Sequence, residues 1–211
     1  MRQPANMPPD QPSTEPPKEQ EQRGGWTVEG SELLYENPWI RVREDQVIQP
    51  DGESGTFGVV ELGPAVAVLP VHDDGTVSLV RVFRYTIDAE CIETVAGGIS
   101  EGEPAEEAAR RELQEEIGLA ADELIDLGET HQMTEIVVSP VRLFVARGLR
   151  DVPANQDPTE ELSRLDVPLT EAVEWALHGR IVHAATVALV LRAAHLLDGP
   201  HQERLANGKI D

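Results

Sequence analysis

At 211 residues the chain is long enough for one full-sized domain with a substantial core, and its formal net charge of −22 excludes a surface built to hold nucleic acid or an anionic membrane. The same charge leaves a small phosphorylated ligand open, because bound cations invert the local field. A single cysteine, Cys91, excludes an internal disulfide and suits a reducing compartment, so a cytoplasmic protein is expected.

Residues 1–25 are rich in Pro, Gln and Glu and nearly free of large apolar side chains, a composition that predicts a disordered tail. From Trp26 the pattern turns to β. Strands are predicted at 26–35 and 39–48, joined at Glu36-Asn37-Pro38, and a third at 56–62 follows the Pro50-Asp51-Gly52 turn; together they make an N-terminal β region over 26–62. A body domain is then expected over 63–198. It opens with a nearly continuous apolar run at 65–71, fit for a central strand, which Asp73-Asp74-Gly75 turns into a strand at 77–83. A short strand at 91–95 delivers the chain to Gly97 and Gly98.

A helix follows, with Pro104 at its first position and Gly118 just past its last turn. Strands are predicted next at 124–130, 141–146 and 162–167, and the polar stretch 147–161, with Pro153 and Pro158, reads as a surface loop. Thr170 is placed as the cap of a helix running to 177, where Gly179 stops it, and a second helix spans 183–197. The most apolar stretch, 184–197, is too short to span a bilayer and contains Arg192 and His195. Residues 199–211 are expected as a flexible tail. This order of elements predicts an α+β fold with helices covering a mixed central sheet.

The most informative stretch is 97–119, GGISEGEPAEEAARRELQEEIGL. Glu112, Glu115 and Glu116 fall within about a third of the helix circumference, over the same arc as Ala105, Ala108 and Ala109. Two readings follow. In one, the glutamates pair with Arg110 and Arg111 on an ordinary surface helix. In the other they point into the body of the protein, where crowded carboxylates require cations, and a hard divalent metal with oxygen ligands is the simplest remedy.

The wider spacing favours the second. Gly97, five residues, Glu103, seven residues, Arg111-Glu112-Leu113, one residue, Glu115-Glu116, one residue, Gly118-Leu119 resembles the Nudix box in full. The resemblance implies an α/β/α sandwich and a Mg²⁺-dependent phosphoanhydride hydrolase, with Mn²⁺ as a substitute. It also implies metal ligands: Glu112 and Glu116, Glu115 directly or through water, and the backbone carbonyl of Ala96. Arg111 would hold a glutamate in position, and Gly97 would let the loop pass close to the metal.

Outside the box, 79–85 (LVRVFRY), 93–97 (ETVAG), Gly179-Arg180-Ile181 and Ala184-Ala185-Thr186 resemble the branch acting on ADP-ribose and related nucleoside-diphosphate sugars. Val82 and Val95 stand where that branch commonly has Gln and Pro. The resemblance implies that Arg84 contacts substrate phosphates, that Glu93 contacts the substrate or organises the site, and that Glu160 supplies the general base from a loop. It further implies a homodimer in which N-terminal strands cross to the partner, with Trp39 or Trp26 available to stack on the base. A GDP-sugar or another nucleotide sugar is the alternative substrate. A ligand-binding protein without catalysis is the alternative function.

Overall fold

The computed structural model describes residues 21–156 and 161–197, so the expectations for the tail up to residue 20, for Glu160 and for 199–211 lie outside the described residues. In chain order the elements are β1 (Glu21–Arg23), β2 (Trp26–Glu36), β3 (Ile40–Ile48), β4 (Ser54–Leu62), β5 (Ala65–Pro70), β6 (Thr76–Arg84), a 3₁₀ turn (Tyr85–Ile87), β7 (Ala89–Glu93), β8 (Val95–Gly98), α1 (Ala105–Ile117), β9 (Leu119–His131), β10 (Val137–Val138), β11 (Pro140–Asp151), β12 (Leu162–Pro168), α2 (Leu169–Leu177) and α3 (Ala184–Leu197).

The strands form three sheets, ordered β1-β2-β3-β4-β10, β8-β5-β11-β9 and β12-β6-β7. In the second, β5 and β11 run parallel while their outer neighbours are antiparallel. The expected mixed central sheet is therefore present. Its apolar run has a simple cause. Val66 and Val68 of β5 pack with Ala108, Ala109 and Leu113 of α1, whereas Ala67 and Leu69 pack with Ala185, Leu189 and Val190 of α3. Successive side chains point to opposite faces, so a strand covered by helices on both sides must be apolar at every position. The layers are α1, sheet, and α2 with α3, which is the α/β/α sandwich.

Several local expectations are corrected. Residues 21–23 pair with 26–28 instead of belonging to a structureless tail. The expected loop at 147–161 begins later, because β11 continues to Asp151 and pairs down to Leu119 of β9. Polarity misled there: Arg147 and Arg150 sit on a long two-stranded ribbon whose ladder is satisfied by backbone, not by apolar burial. Pro104 and Pro168 are the residues flanking α1 and α2, and Thr170 lies inside α2 instead of capping it.

The expected single strand at 91–95 is broken at Thr94, and its halves join different sheets. At the break the Thr94 backbone N–H leaves the ladder and donates to Thr186 Oγ1, 3.0 Å away on α3. The five residues from Glu93 to Gly97 thus connect two layers of the body.

The N-terminal sheet is far less buried. Only Asp45, Val47 and Val59 of its strands are buried, while Leu33, Leu34, Tyr35 and the nearby Trp39 are exposed.

Candidate active site

Helix α1 buries one stripe: Ala108, Ala109, Glu112, Leu113, Glu116 and Ile117. Two of the three expected carboxylates therefore do face the body, among alanines and leucine, which is the costly arrangement read from the sequence. Glu115 departs from that expectation. Its side chain is 38% exposed against 12% for Glu112, because it stands at the edge of the stripe. Gly118 closes the helix in the left-handed region at φ 64° and returns its N–H to Gln114 O at 3.1 Å.

Arg111 gathers the acids. Its Nε and Nη2 donate to Glu103 at 2.9 and 3.1 Å, its Nη1 to Glu112 Oε1 at 2.6 Å and to Glu115 Oε2 at 3.1 Å, and Nη2 also reaches the Gly98 carbonyl at 2.9 Å. A planar guanidinium is the one side chain that can hold acids on several sides without losing its charge. The bonds from Arg111 pull the Glu103 carboxyl down to about 2 and push the Arg111 guanidinium up. Glu103 also accepts the Ser100 N–H at 2.9 Å, which fixes the loop before α1. Arg111 thus ties the loop before α1 to Glu112 and Glu115.

The loop meets the helix at Gly97. A Cβ there would overlap the Glu112 carboxylate, so glycine lets the β8 backbone lie against this acid without the Glu112 side chain having to shift. Next to it, the Ala96 N–H approaches Glu116 Oε1 at 3.4 Å. Main chain and two buried carboxylates are therefore packed at one point. Among the described residues no three acid, His or Cys side chains yet enclose a common centre, since Arg111 lies between Glu112 and Glu115. The donor set nonetheless fits a hard divalent cation: the oxygens of Glu112 and Glu116, and a glycine cradle that keeps all side-chain carbon away.

The other end of the Glu93–Gly97 stretch carries a second charged group. Glu93 is only 3% exposed and accepts a two-pronged pair from Arg84, Nε to Oε1 at 2.9 Å and Nη2 to Oε2 at 2.7 Å. The register of β6 and β7 puts Arg84 opposite Ala89 and Glu93 opposite Val80, four pairs apart, and the long arginine side chain spans that distance. Arg84 and Glu93, named separately from the sequence, are brought together. They line a cavity of about 490 Å³ with Cys91, Gln132, Ser139 and His183 among its walls. His183 was missed in the sequence. Its Nδ1 lies 3.3 Å from Glu93 Oε2 and 2.9 Å from Thr186 Oγ1. The available signal was its position just before an apolar helix, within a segment that already carried a resemblance.

The aromatic candidates separate. Trp26 packs edge-to-face on Phe57 with ring centres 5.6 Å apart. Trp39 is 76% exposed, and its backbone N–H donates to Asn37 Oδ1 at 2.8 Å.

A family model for the NUDIX domain matches residues 61–188, well over half of the chain. The chain belongs to the NUDIX family. A second model, the nucleoside diphosphate sugar hydrolase N-terminal domain, matches residues 26–60 of this Nudix protein. It is similar to the ADP-ribose pyrophosphatase of Mycobacterium tuberculosis, 33% identical over 180 residues that cover 82% of this chain and 86% of the relative. It also resembles the ADP-ribose pyrophosphatase of Bacillus subtilis, 28% identical over 167 residues, 78% of this chain and 90% of that one. A crystal structure described as an ADP compounds hydrolase matches with a TM-score of 0.76 at 22% identity, covering 85% of this chain and 97% of the other. That likeness is one of fold. The family makes the protein a Nudix hydrolase of the nucleotide-sugar type, and α1 with its preceding loop is the Nudix box.

Proposed function

We propose that this protein is a Mg²⁺-dependent pyrophosphatase that cleaves the diphosphate bond of a nucleoside-diphosphate sugar, with ADP-ribose as the substrate giving AMP and ribose 5-phosphate. The observation that carries the reading is the stretch Glu93–Gly97, which abuts a buried carboxylate pair at one end and a fixed arginine at the other. The names of the relatives from Mycobacterium tuberculosis and Bacillus subtilis support ADP-ribose over other nucleotide sugars.

Glu112, Glu116, Glu115 and the Ala96 carbonyl would hold the metal. When bound, a divalent cation neutralises diphosphate charge and lowers the pKa of a bound water. Arg84 is the proposed contact for a substrate phosphate, and Glu93, taking its Nε and Nη2, fixes the guanidinium at the cavity wall. Arg111, bonded to Glu103, Glu112 and Glu115 together, is the proposed holder of the acidic group. Glu160 is the proposed general base, taking a proton from the attacking water, and Trp39 the proposed stacking surface for the base. The exposed Leu33, Leu34, Tyr35 and Trp39 support a homodimer formed through the N-terminal sheet. A reducing cytoplasm is the proposed compartment, in keeping with the unpaired Cys91. Among the described residues no helix is long and apolar enough to cross a membrane.

The test is chromatography of products after incubating the full chain with Mg²⁺ and ADP-ribose, GDP-sugars and other nucleotide sugars. Release of AMP from ADP-ribose, abolished in Glu116→Gln, is expected. Tight binding with no product would show a non-catalytic ligand sensor, and a preference for another sugar nucleotide would move the substrate.

A further inference from the structure

His183 precedes α3, and its ring closes the wall of the cavity that holds Arg84 and Glu93. The hydrogen bonds around it decide which ring nitrogen carries the proton. Thr186 Oγ1 already accepts the Thr94 N–H at 3.0 Å and lies 3.3 Å from Thr94 Oγ1, to which its own proton can go. Glu93 Oε2, 3.3 Å from Nδ1, is a carboxylate oxygen and can only accept. A proton on Nδ1 therefore satisfies both neighbours, and a bare Nδ1 would face a carboxylate lone pair. The tautomer that fits is Nδ1–H, which leaves the lone pair on Nε2.

Among the described residues nothing hydrogen-bonds Nε2, while the side chain stays 22% exposed at a cavity whose walls carry Gln132, Ser139 and Thr86 beside apolar residues that include Leu62, Met133 and Val182. Burial pushes the imidazole below its usual range, against the pull of Glu93 and with the push of Arg84, so the ring is neutral near pH 7. A neutral imidazole with a lone pair on Nε2, lining the same cavity as Arg84 and the polar Gln132, Ser139 and Thr86, is an acceptor for a ligand O–H. We propose that His183 is a specificity-determining residue, held by Glu93 through Nδ1 and accepting through Nε2 a hydrogen bond from a hydroxyl of the sugar next to the diphosphate. The inference rests on the nucleotide-sugar reading of the site and says which group reads the sugar.

The experiment compares hydrolysis of ADP-ribose with that of analogues lacking either the 2- or the 3-hydroxyl of the terminal ribose, for the wild type and for His183→Asn and His183→Gln. Asparagine can keep an N–H near the Nδ1 position but places nothing at Nε2, whereas glutamine reaches the Nε2 position with an amide oxygen. The wild type should prefer the parent over one of the analogues by about tenfold in kcat/KM, the worth of one neutral hydrogen bond. That preference should vanish in H183N and persist in part in H183Q, with thermal midpoints of all three proteins measured alongside. Calorimetric binding of the same ligands without Mg²⁺ gives the same comparison free of the chemical step. An equal drop for parent and analogues in H183N would make His183 a prop for the wall and overturn the inference, as would a wild type blind to both deletions. A wild type that neither binds nor turns over any nucleotide sugar would overturn the site reading itself, and the inference with it.

Discussion

The two charged groups at either end of Glu93–Gly97 solve one problem in different ways. On α1 an arginine and its acids are neighbours in sequence: Arg111 bonds Glu112, one residue on, and Glu115, one turn on. In the cavity, Arg84 of β6, Glu93 of β7 and His183 before α3 come from three elements up to 99 positions apart (183 − 84). The first group is fixed by helix geometry and would keep its spacing in any helix. The second exists only while the β6–β7 register and the docking of α3 hold. On the proposed reading, the metal-holding group is carried by local geometry and the group that reads the ligand by long-range packing.

Replacement of Glu116 by Gln should produce the largest effect. It keeps the shape and removes the charge, so kcat should fall by more than the roughly 100-fold typical of losing a group behind a metal ligand, with the thermal midpoint unchanged or raised. A kcat within a few-fold of wild type would remove α1 from the chemistry and break the contrast.

At the other end, Arg84→Ala takes the guanidinium from a buried carboxylate and leaves it His183. It should raise KM well beyond tenfold and lower stability by about 2 kcal/mol in urea unfolding, toward the low end for a broken buried pair because Arg84 is itself 44% exposed. An unchanged KM would leave the pair a purely structural strut.

Gly97→Ala tests where the two groups meet. The added methyl overlaps the Glu112 carboxylate, and overpacking of this kind costs about 1–3 kcal/mol. Activity should fall with it, whereas Gly98→Ala, which meets nothing within 4 Å, should be neutral in both measurements.

The smallest effect is one of pH. The Glu103 carboxyl is lowered from its usual 4.5 to about 2 in the folded chain by Arg111. A depressed acid stabilises fully above its unfolded value and loses that contribution as pH falls through the folded one. The difference in thermal midpoint between wild type and Glu103→Gln should therefore be constant above about pH 5 and shrink toward zero near pH 2. A difference that grew as pH fell would contradict the Arg111–Glu103 bond.

Much of this molecule was legible before folding. The apolar run of β5, the turn at Gly75 and the limits of α1 beside Pro104 and Gly118 follow from periodicity and from where Gly and Pro can stand, while the inward turn of Glu112 and Glu116 was one of two readings until the wider spacing of the box favoured it. The errors share one cause. Arg147 to Asp151 looked like loop because they are polar, yet a ribbon of two strands needs only backbone partners. Cys91 to Val95 looked like one strand, yet a threonine hydroxyl on α3 takes the Thr94 N–H out of the ladder. Glu115 looked buried with its neighbours, yet an arc on a helical wheel does not say how far the packing reaches.

The sequence carried the resemblance to the Nudix box and placed its acids within one arc of a helix, since positions within four residues are set by the rise and turn of the helix. Only the tertiary structure decided that Glu93 is buried, that Arg84 grips it and that His183 stands behind it. Those contacts depend on how strands register and where α3 docks, and both are settled by the summed packing of the core, which no short stretch of sequence contains.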